Sequence, residues 1–379
     1  MKYRKFGKID YQVSALGFGA MRLPTFDNKP MSGEINEAES TRLIRSAIDR
    51  GVNYLDTAYV YHNGNSEIVV GKALLEGYRA KIKLATKSPL WIVNSAADFD
   101  KYLDEQLVKL QTDHIDFYLM HGIGKERWET IQKLGLMECA EKAIKAGKIC
   151  HIGFSFHDKA EAFRPIIDAY DKWEFCQIQY NYMDTENQAG TEGLNYAAAK
   201  GIPVIVMEPL LGGRLAKPPA DVKKIFDEYG TKRSPAQWAM QWVWNQPGIV
   251  TLLSGMNSMA QVEENLQAAE TLSTQPLTLE DKKLIIQARA AFLKRASVPC
   301  TKCGYCLPCP QGVNIPEIIE LYNNGIVYND MASSKFMYGR FFDEAERADK
   351  CAQCGQCDAK CPQGIEISKL MPEIHEKLK

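Results

Sequence analysis

Eight cysteines in the last 80 residues have the spacing of metal ligands. They form two runs, Cys300-x2-Cys303-x2-Cys306-x2-Cys309-Pro310 and Cys351-x2-Cys354-x2-Cys357-x3-Cys361-Pro362. Thiolates this close let one loop wrap three corners of a 4Fe–4S cubane. The proline then turns the chain, so that the fourth cysteine can reach a second cluster. Zinc is the simpler occupant, because paired CxxC motifs also hold it. Zinc, however, leaves three cysteines in a row followed by a detached Cys-Pro unexplained. The two runs are also an internal repeat. Cys303-Gly304-Tyr305-Cys306 recurs as Cys354-Gly355-Gln356-Cys357, and Cys309-Pro310-Gln311-Gly312 recurs as Cys361-Pro362-Gln363-Gly364. A repeated ligand set implies two equivalent sites related by a pseudo-twofold. Cys139, Cys150 and Cys176 lie in apolar stretches and read as buried structural thiols.

A second set of chemical groups lies far upstream: Asp56, Tyr61, Lys87 and His121. Together they suit proton donation to a carbonyl. A free tyrosine, with a pKa of about 10, is a poor acid at neutral pH. A neighbouring ammonium lowers that value, and a carboxylate holds the ammonium in place. A histidine can hydrogen-bond the carbonyl oxygen and fix its approach.

The elements that must position these residues alternate along the first 275 residues. Strand candidates are 15–21, 54–57, 82–87, 115–121, 149–155, 175–181, 203–209 and 249–254. Helical patterns follow them at 36–49, 66–76, 96–110, 128–146, 159–170, 191–200, 236–245 and 259–271. Eight strand–helix units predict an α/β fold, a closed (β/α)8 TIM barrel, with the four polar residues at the carboxyl ends of their strands. An open dinucleotide-binding sheet would want GxGxxG after its first strand, and Gly17-Phe18-Gly19-Ala20-Met21-Arg22 lacks the third glycine. Residues 1–13 read as a hairpin closing the barrel bottom, 279–294 as a further helix and 296–299 as a linker. The expected domains are a barrel over 1–295 and a small, mainly helical two-cluster domain over 296–379. In the latter, 316–323 and 343–350 look helical.

Charge and hydropathy exclude several roles. Lys plus Arg number 46 against 47 Asp plus Glu, so a nucleic-acid partner is not expected. The longest apolar run, near 202–211, is broken by Pro203, Glu208 and Pro209, so no membrane span is expected. The basic start, 1–10, has no apolar core behind it. A cytoplasmic location is the expectation, and there clustered cysteines are metal ligands rather than disulfides.

The cysteine-rich segment resembles the α-helical ferredoxin domains appended to redox enzymes, over about 80 residues. The upstream motifs resemble the aldo-keto reductase signature: Asp56-Thr57-Ala58-Tyr59-Val60-Tyr61, Gly64-Asn65-Ser66-Glu67, Thr86-Lys87, Asp116-Phe117-Tyr118-Leu119-Met120-His121, Ile152-Gly153-Phe154-Ser155, Gln177-Ile178-Gln179-Tyr180-Asn181 and Glu263-Glu264-Asn265-Leu266. That resemblance implies a barrel binding NAD(H) or NADP(H) without a Rossmann domain. It implies Tyr61 as general acid, Lys87 as the partner lowering its pKa, Asp56 as orienter of Lys87, and His121 as the group positioning the carbonyl. It also implies Ser155 and Gln179 at the carboxamide and Glu264 and Asn265 at the adenine. Met207-Glu208-Pro209-Leu210 stands where the family often stacks an aromatic ring, so Met207, Glu208 and Leu210 would line the nicotinamide less specifically. Phe156-His157 follows Ser155 where many members have Asn. The segment 254–261 has none of the basic residues that often hold the 2′-phosphate of NADP.

The expected function is reduction of a carbonyl, or oxidation of an alcohol, with two 4Fe–4S clusters for electron transfer. The alternative is a non-catalytic barrel that senses the nicotinamide state, with an electron-carrier tail docking a redox partner protein. The tetrad favours the enzyme, since a sensor needs no proton donor. Nicotinamide gives two electrons together and each cluster takes one, so a flavin between them stays open, although no flavin motif is present. The tail, 296–379, holds 9 basic and 11 acidic residues before any cluster charge is added. It suits a basic partner surface.

Overall fold

The computed structural model describes residues 1–29 and 31–379. The chain divides into two compact units. One comprises Met1–Gly212 with Ala236–Leu277, the other Gly213–Pro235 with Thr278–Lys379.

In the first unit, β1 (Tyr3–Lys5) and β2 (Gln12–Ser14) form an antiparallel hairpin. Eight parallel strands follow: β3 (Leu16–Gly19), β4 (Tyr54–Asp56), β5 (Lys83–Ser88), β6 (Ile115–Ile123), β7 (Ile149–Phe156), β8 (Phe175–Gln179), β9 (Val204–Met207) and β10 (Ile249–Ser254). They close in sequence order, β10 pairing back onto β3 with Leu252 opposite Leu16. Their near-continuous apolar runs are what a strand buried on both faces requires. Inside the barrel, Phe6 from the hairpin turn meets Phe117 with ring centroids 4.7 Å apart, beside Tyr54 and Phe175. The hairpin therefore plugs the amino end, and the carboxyl end is left for chemistry.

Between the strands run α1 (Glu37–Asp49), α2 (Ser66–Ala73), α3 (Ala96–Leu110), α4 (Lys125–Leu134), α5 (Leu136–Lys145), α6 (Ala160–Asp168) and α7 (Gly190–Ala199). After α8 (Ala220–Asp227), which falls in the second unit, come α9 (Pro235–Trp244) and α10 (Met259–Thr271). Helix α3 shows how local sequence serves the site. The Ser95 hydroxyl accepts from Asp98 N at 3.2 Å and starts the helix, a cap worth about 1 kcal/mol. Phe99, Leu103, Gln106 and Leu110 then share one buried stripe. The one polar member of that stripe, Gln106, reaches the backbone of β5. The expected helix over 128–146 is two helices. Gly135 ends α4 in the left-handed region, at φ 65°, which a residue with a Cβ adopts reluctantly.

The second unit is helical: α8, α11 (Leu279–Leu293), α12 (Ile315–Val327), α13 (Met331–Phe341), α14 (Gln356–Lys360) and α15 (Ile367–Leu378). Helix α11, placed with the barrel on sequence grounds, packs here with α8, and Arg295 pairs with Asp221 at 2.8 Å. Val313, Ile315, Ile318, Ile319, Ile365, Ile367, Met371 and Ile374 form the core of the cluster segment. The sequence repeat is also a backbone repeat. Lys302 and Gln353 are left-handed (φ 56° and 53°), and Gly312 N and Gly364 N both turn back onto the carbonyl of the preceding cysteine, Cys309 or Cys361. Each run then leads into a helix, α12 or α15. The expected helix at 343–350 is instead two 3-10 turns. Among the described residues no helix is long and apolar enough to cross a membrane.

Candidate active site and cluster cradles

The barrel register brings the four polar residues together. Asp56 ends β4, Lys87 lies in β5, His121 lies in β6, and Tyr61 opens the turn after β4. Lys87 Nζ donates to Asp56 Oδ1 at 2.6 Å and to the Thr57 carbonyl at 2.7 Å, and it lies 3.4 Å from Tyr61 Oη. The Tyr61 and His121 rings meet edge-on at 6.3 Å, and the Trp91 ring meets His121 edge-on at 5.1 Å. Behind Lys87, Gln106 Nε2 donates to its carbonyl at 3.0 Å and to Glu67 Oε1 at 2.7 Å. Thr86 also donates to Glu67, and Tyr118 donates to Gln106 Oε1. This buried network fixes the strand that carries the lysine.

Burial would lower Lys87, but the facing Asp56 carboxylate and Tyr61 outweigh it and hold the ammonium. Burial pushes Asp56 up against the opposing pull of Lys87. These directions compete for one proton, and we read the pair as ammonium and carboxylate. The ammonium has two oxygen acceptors within 2.7 Å, which a neutral amine would use poorly. Tyr61 differs from expectation. Lys87 does lower it, yet burial is the larger effect and raises it overall. His121 is pushed well below its ordinary value by burial, then by Lys87, His157 and Arg127, so its imidazole is neutral. The arrangement offers a protonated phenol, a fixed ammonium behind it and a neutral imidazole across from it. These groups can hold a carbonyl oxygen and give it a proton.

Of the residues assigned to the cofactor, Ser155, Gln179, Met207, Glu208 and Leu210 lie at strand ends or just beyond them, and Glu264 and Asn265 lie in α10. Ser155 Oγ accepts from Gly122 N at 2.8 Å, which leaves its own O–H free to donate. The Gln179 amide is already engaged, Nε2 with Asp184 at 2.7 Å and Oε1 with Gln188 at 3.1 Å. Gln188 Oε1 is buried without a partner, an open acceptor beside Gln179 that suits a carboxamide N–H. Asn265 is buried and donates to Ser254 Oγ at 2.9 Å; Glu264 beside it is half-buried. Met207 Sδ accepts from Gln177, Glu208 is exposed in the left-handed region and raises Tyr61, and Leu210 packs on the barrel's outer core. Of these, the free Ser155 O–H and the open Gln188 Oε1 are the groups with the donor and acceptor that a carboxamide needs.

The cysteines fall into two cradles. Cys300, Cys303, Cys306 and Cys361 line one cleft, with Ile315, Ile319 and Ile365. Cys351, Cys354, Cys357 and Cys309 line another, which Cys306 also borders. Burial raises Cys306, helped by Cys300, Cys303 and Cys361; burial and then Asp358 push Cys357 up to about 12. Tetrahedral zinc at about 2.3 Å would draw four sulfurs to about 3.8 Å of one another. Among the described residues no three of these thiols lie within 4.8 Å of one another. Wider quartets against an apolar wall suit a cubane better than a single ion.

Comparison with known proteins agrees with this geometry. The model of the Aldo/keto reductase family matches residues 15–284. The chain belongs to the aldo/keto reductase family. A second model, the 4Fe-4S dicluster domain, matches residues 299–366, so this reductase carries a dicluster domain after its barrel. An uncharacterized oxidoreductase of Bacillus subtilis, YqkF, is 28% identical over 75% of this chain and 95% of its own length. L-Galactose dehydrogenase of Arabidopsis thaliana is 26% identical over 76% and 95%. Among solved structures, aldo-keto reductase AKR11C1 of Bacillus halodurans in its holo form is 28% identical with a TM-score of 0.63, over 76% of this chain and 96% of its own. An aldo-keto reductase of Klebsiella pneumoniae, solved in complex with NADPH, shares the fold at 24% identity and a TM-score of 0.61, covering 76% of this chain and 94% of its own.

Several residues of the reductase site lie outside the motifs read from sequence. Arg22, from the turn after β3, runs along Gly255 and points its guanidinium at Gly212. It therefore brings a cation to the loops after β9 and β10, where residues 254–261 supply none. His62 follows Tyr61 in the left-handed region, at φ 54°. It accepts from Leu23 N at 3.2 Å and binds the Ser32 carbonyl at 2.7 Å, tying the loop before α1 at two points to the turn that carries Tyr61. Their only sequence signals are single polar residues beside a strand end. Cys150 is exposed rather than buried, because at the start of β7 its side chain points outward.

Proposed function

We propose that the reductase reduces a carbonyl, or oxidises the matching alcohol, using NAD(H) or NADP(H), with Tyr61 as general acid. The observation that carries this reading is Lys87 Nζ bound to Asp56 and Thr57 and set 3.4 Å from Tyr61 Oη. A bound nicotinamide supplies or accepts the hydride. Tyr61 holds the proton that the carbonyl oxygen receives, and Lys87 steadies the phenolate left behind. Asp56 and Thr57 keep Lys87 charged and aimed. Neutral His121, with the Trp91 ring against it, hydrogen-bonds the same oxygen. Turnover of a panel of aldehydes by anaerobically purified protein tests this reading. Reduction of at least one with saturable kinetics supports it; none, with intact cluster spectra, removes it.

For cofactor choice, NADH is expected to bind at least comparably with NADPH. Residues 254–261 offer no cation, and we assign Arg22, at Gly212 and Gly255, to phosphates that both cofactors share. Dissociation constants measured side by side decide this; a hundredfold preference for NADPH would overturn it.

We assign 1–295 to the reductase and 296–379 to the clusters as sequence domains, although 213–235 and 278–295 pack in the same compact unit as the cluster segment. Within the latter, Cys300, Cys303, Cys306 and Cys361 hold one 4Fe–4S cluster, and Cys351, Cys354, Cys357 and Cys309 hold the other. Cys309→Ser is expected to cost the cluster of Cys351–Cys357 and spare the one at Cys300–Cys306, halving the iron. Cys361→Ser should do the reverse. Iron content and low-temperature EPR of the two variants read this, and loss of the same signal in both would contradict it. The clusters exchange single electrons with an external carrier whose surface is basic, with an on-rate that falls as salt rises.

A further inference from the structure

One wall of the catalytic cleft carries a positive charge that the proton-donor mechanism does not use. Arg127, in the first turn of α4, folds back so that Nη1 donates to the Gly122 carbonyl at 2.6 Å. Its guanidinium lies 5.9 Å from the Trp91 ring centroid. The Trp91 ring in turn meets His121 edge-on at 5.1 Å. Gly122 makes this approach possible. It sits in the left-handed region at φ 60°, and a Cβ there would lie 2.7 Å from Arg127 Nη1 and 3.7 Å from the His157 ring. Arg127, His157, Trp91 and His121 therefore gather around the residue that follows the carbonyl-positioning histidine.

No carboxylate balances this group. Lys87 is paired with Asp56, but Arg127 has no ion pair within 4.0 Å among the described residues, and its single recorded hydrogen bond leaves most of its five donors open. Glu126 and Glu129, beside Arg127 in sequence, are exposed and form no ion pair with it, and Asp158, beside His157, is engaged with the backbone N–H groups of Lys125 and Lys159. The charges acting on His121 are Lys87, His157 and Arg127, none of them acidic. Glu208 acts on Tyr61, from the β9 side. His121 Nδ1 is itself buried without a partner on this wall. A planar guanidinium with free donors, backed by an aromatic ring, matches an oxyanion of carboxylate or phosphate geometry.

Building on the reductase reading, we propose that the substrate is an anionic carbonyl compound, whose carboxylate or phosphate docks on Arg127 while its carbonyl faces Tyr61 and His121. Arg127 then selects among aldehydes, a role the motif residues do not supply.

The test compares charge-matched pairs on the holoenzyme: 4-oxobutanoate against butanal, and glyceraldehyde 3-phosphate against glyceraldehyde. The wild-type protein is expected to favour one anion over its neutral counterpart at least tenfold in kcat/KM, and the favoured pair names carboxylate or phosphate. In Arg127→Met that selectivity ratio should fall about 10- to 100-fold, the scale of a lost charge-assisted bond. A ratio near one in the wild type, or one that shifts less than threefold in the variant, overturns the proposal while leaving the reductase reading intact. If no aldehyde is turned over, the reductase reading fails. Calorimetric titration of succinate and of inorganic phosphate into the cofactor-loaded protein then decides the anion site. Saturable binding lost in Arg127→Met supports it, and no binding overturns it.

Discussion

Tyr61→Phe is expected to lower carbonyl reduction by about 10²- to 10⁴-fold, the usual loss on removing a general acid. Cofactor affinity should stay within about threefold, because the phenol oxygen contacts Lys87 rather than the groups assigned to the nicotinamide. The substitution removes one oxygen, and the ring edge can keep its place against His121 at 6.3 Å. Burial raises Tyr61 overall, so the acid keeps its proton across the neutral range, and the wild-type rate should fall only on the alkaline side. Steady-state rates and cofactor titration on purified variant and wild type read both parts. Near-full turnover in Tyr61→Phe would show that the proton comes from elsewhere.

Lys87→Met should cost as much rate and, in addition, stability. The lysine and Asp56 are both almost fully buried, and removing one partner leaves a buried carboxylate without its cation. Breaking such a pair typically costs about 3–5 kcal/mol. The sign with pH follows from Asp56, whose pKa burial already pushes up. Without Lys87 the rise is greater. At neutral pH the unfolded carboxyl ionises freely while the folded one must stay protonated or unpaired, so the deficit is full. Below about pH 4 the unfolded carboxyl is protonated too, and the deficit shrinks. Denaturant unfolding of variant and wild type at neutral and acid pH should show that narrowing gap. A gap independent of pH would mean that Lys87 acts by packing alone. The double variant with Tyr61→Phe should be little slower than either single one, because the two act as a unit.

Much of this was legible before the fold was seen. The eight strands were readable because each is a short β-branched or aromatic run, and the tetrad because each member falls at or just after such a run. The grouping of Cys361 with the cleft of the first run and of Cys309 with that of the second was readable from the proline after each fourth cysteine. Other features were hidden for physical reasons. Helix α15 contains Pro372, which masks its pattern, and α8 is only eight residues long behind two prolines. Gly135 carried a usable stop signal inside 128–146, but the apolar period continues across it. Arg22 and Arg127 gave no more signal than lone charges, because one comes from the turn after β3 and the other from the first turn of α4, and only barrel closure brings them to the cleft beside His157. The burial that opposes Lys87 at Tyr61 depends on how deep the cleft is, a property no local motif carries.

The central claim is that the barrel moves a hydride onto a carbonyl carbon while Tyr61 protonates the oxygen. Its most direct test is isotope transfer under anaerobic conditions. The protein is mixed with nicotinamide deuterated at the transferable C4 position and with an aldehyde that it turns over, and the alcohol is analysed by mass spectrometry. The account predicts one deuterium on the carbinol carbon in the wild-type product, with the yield of that product falling in Tyr61→Phe in step with the rate. An alcohol without deuterium, or one formed equally fast without Tyr61, would contradict it.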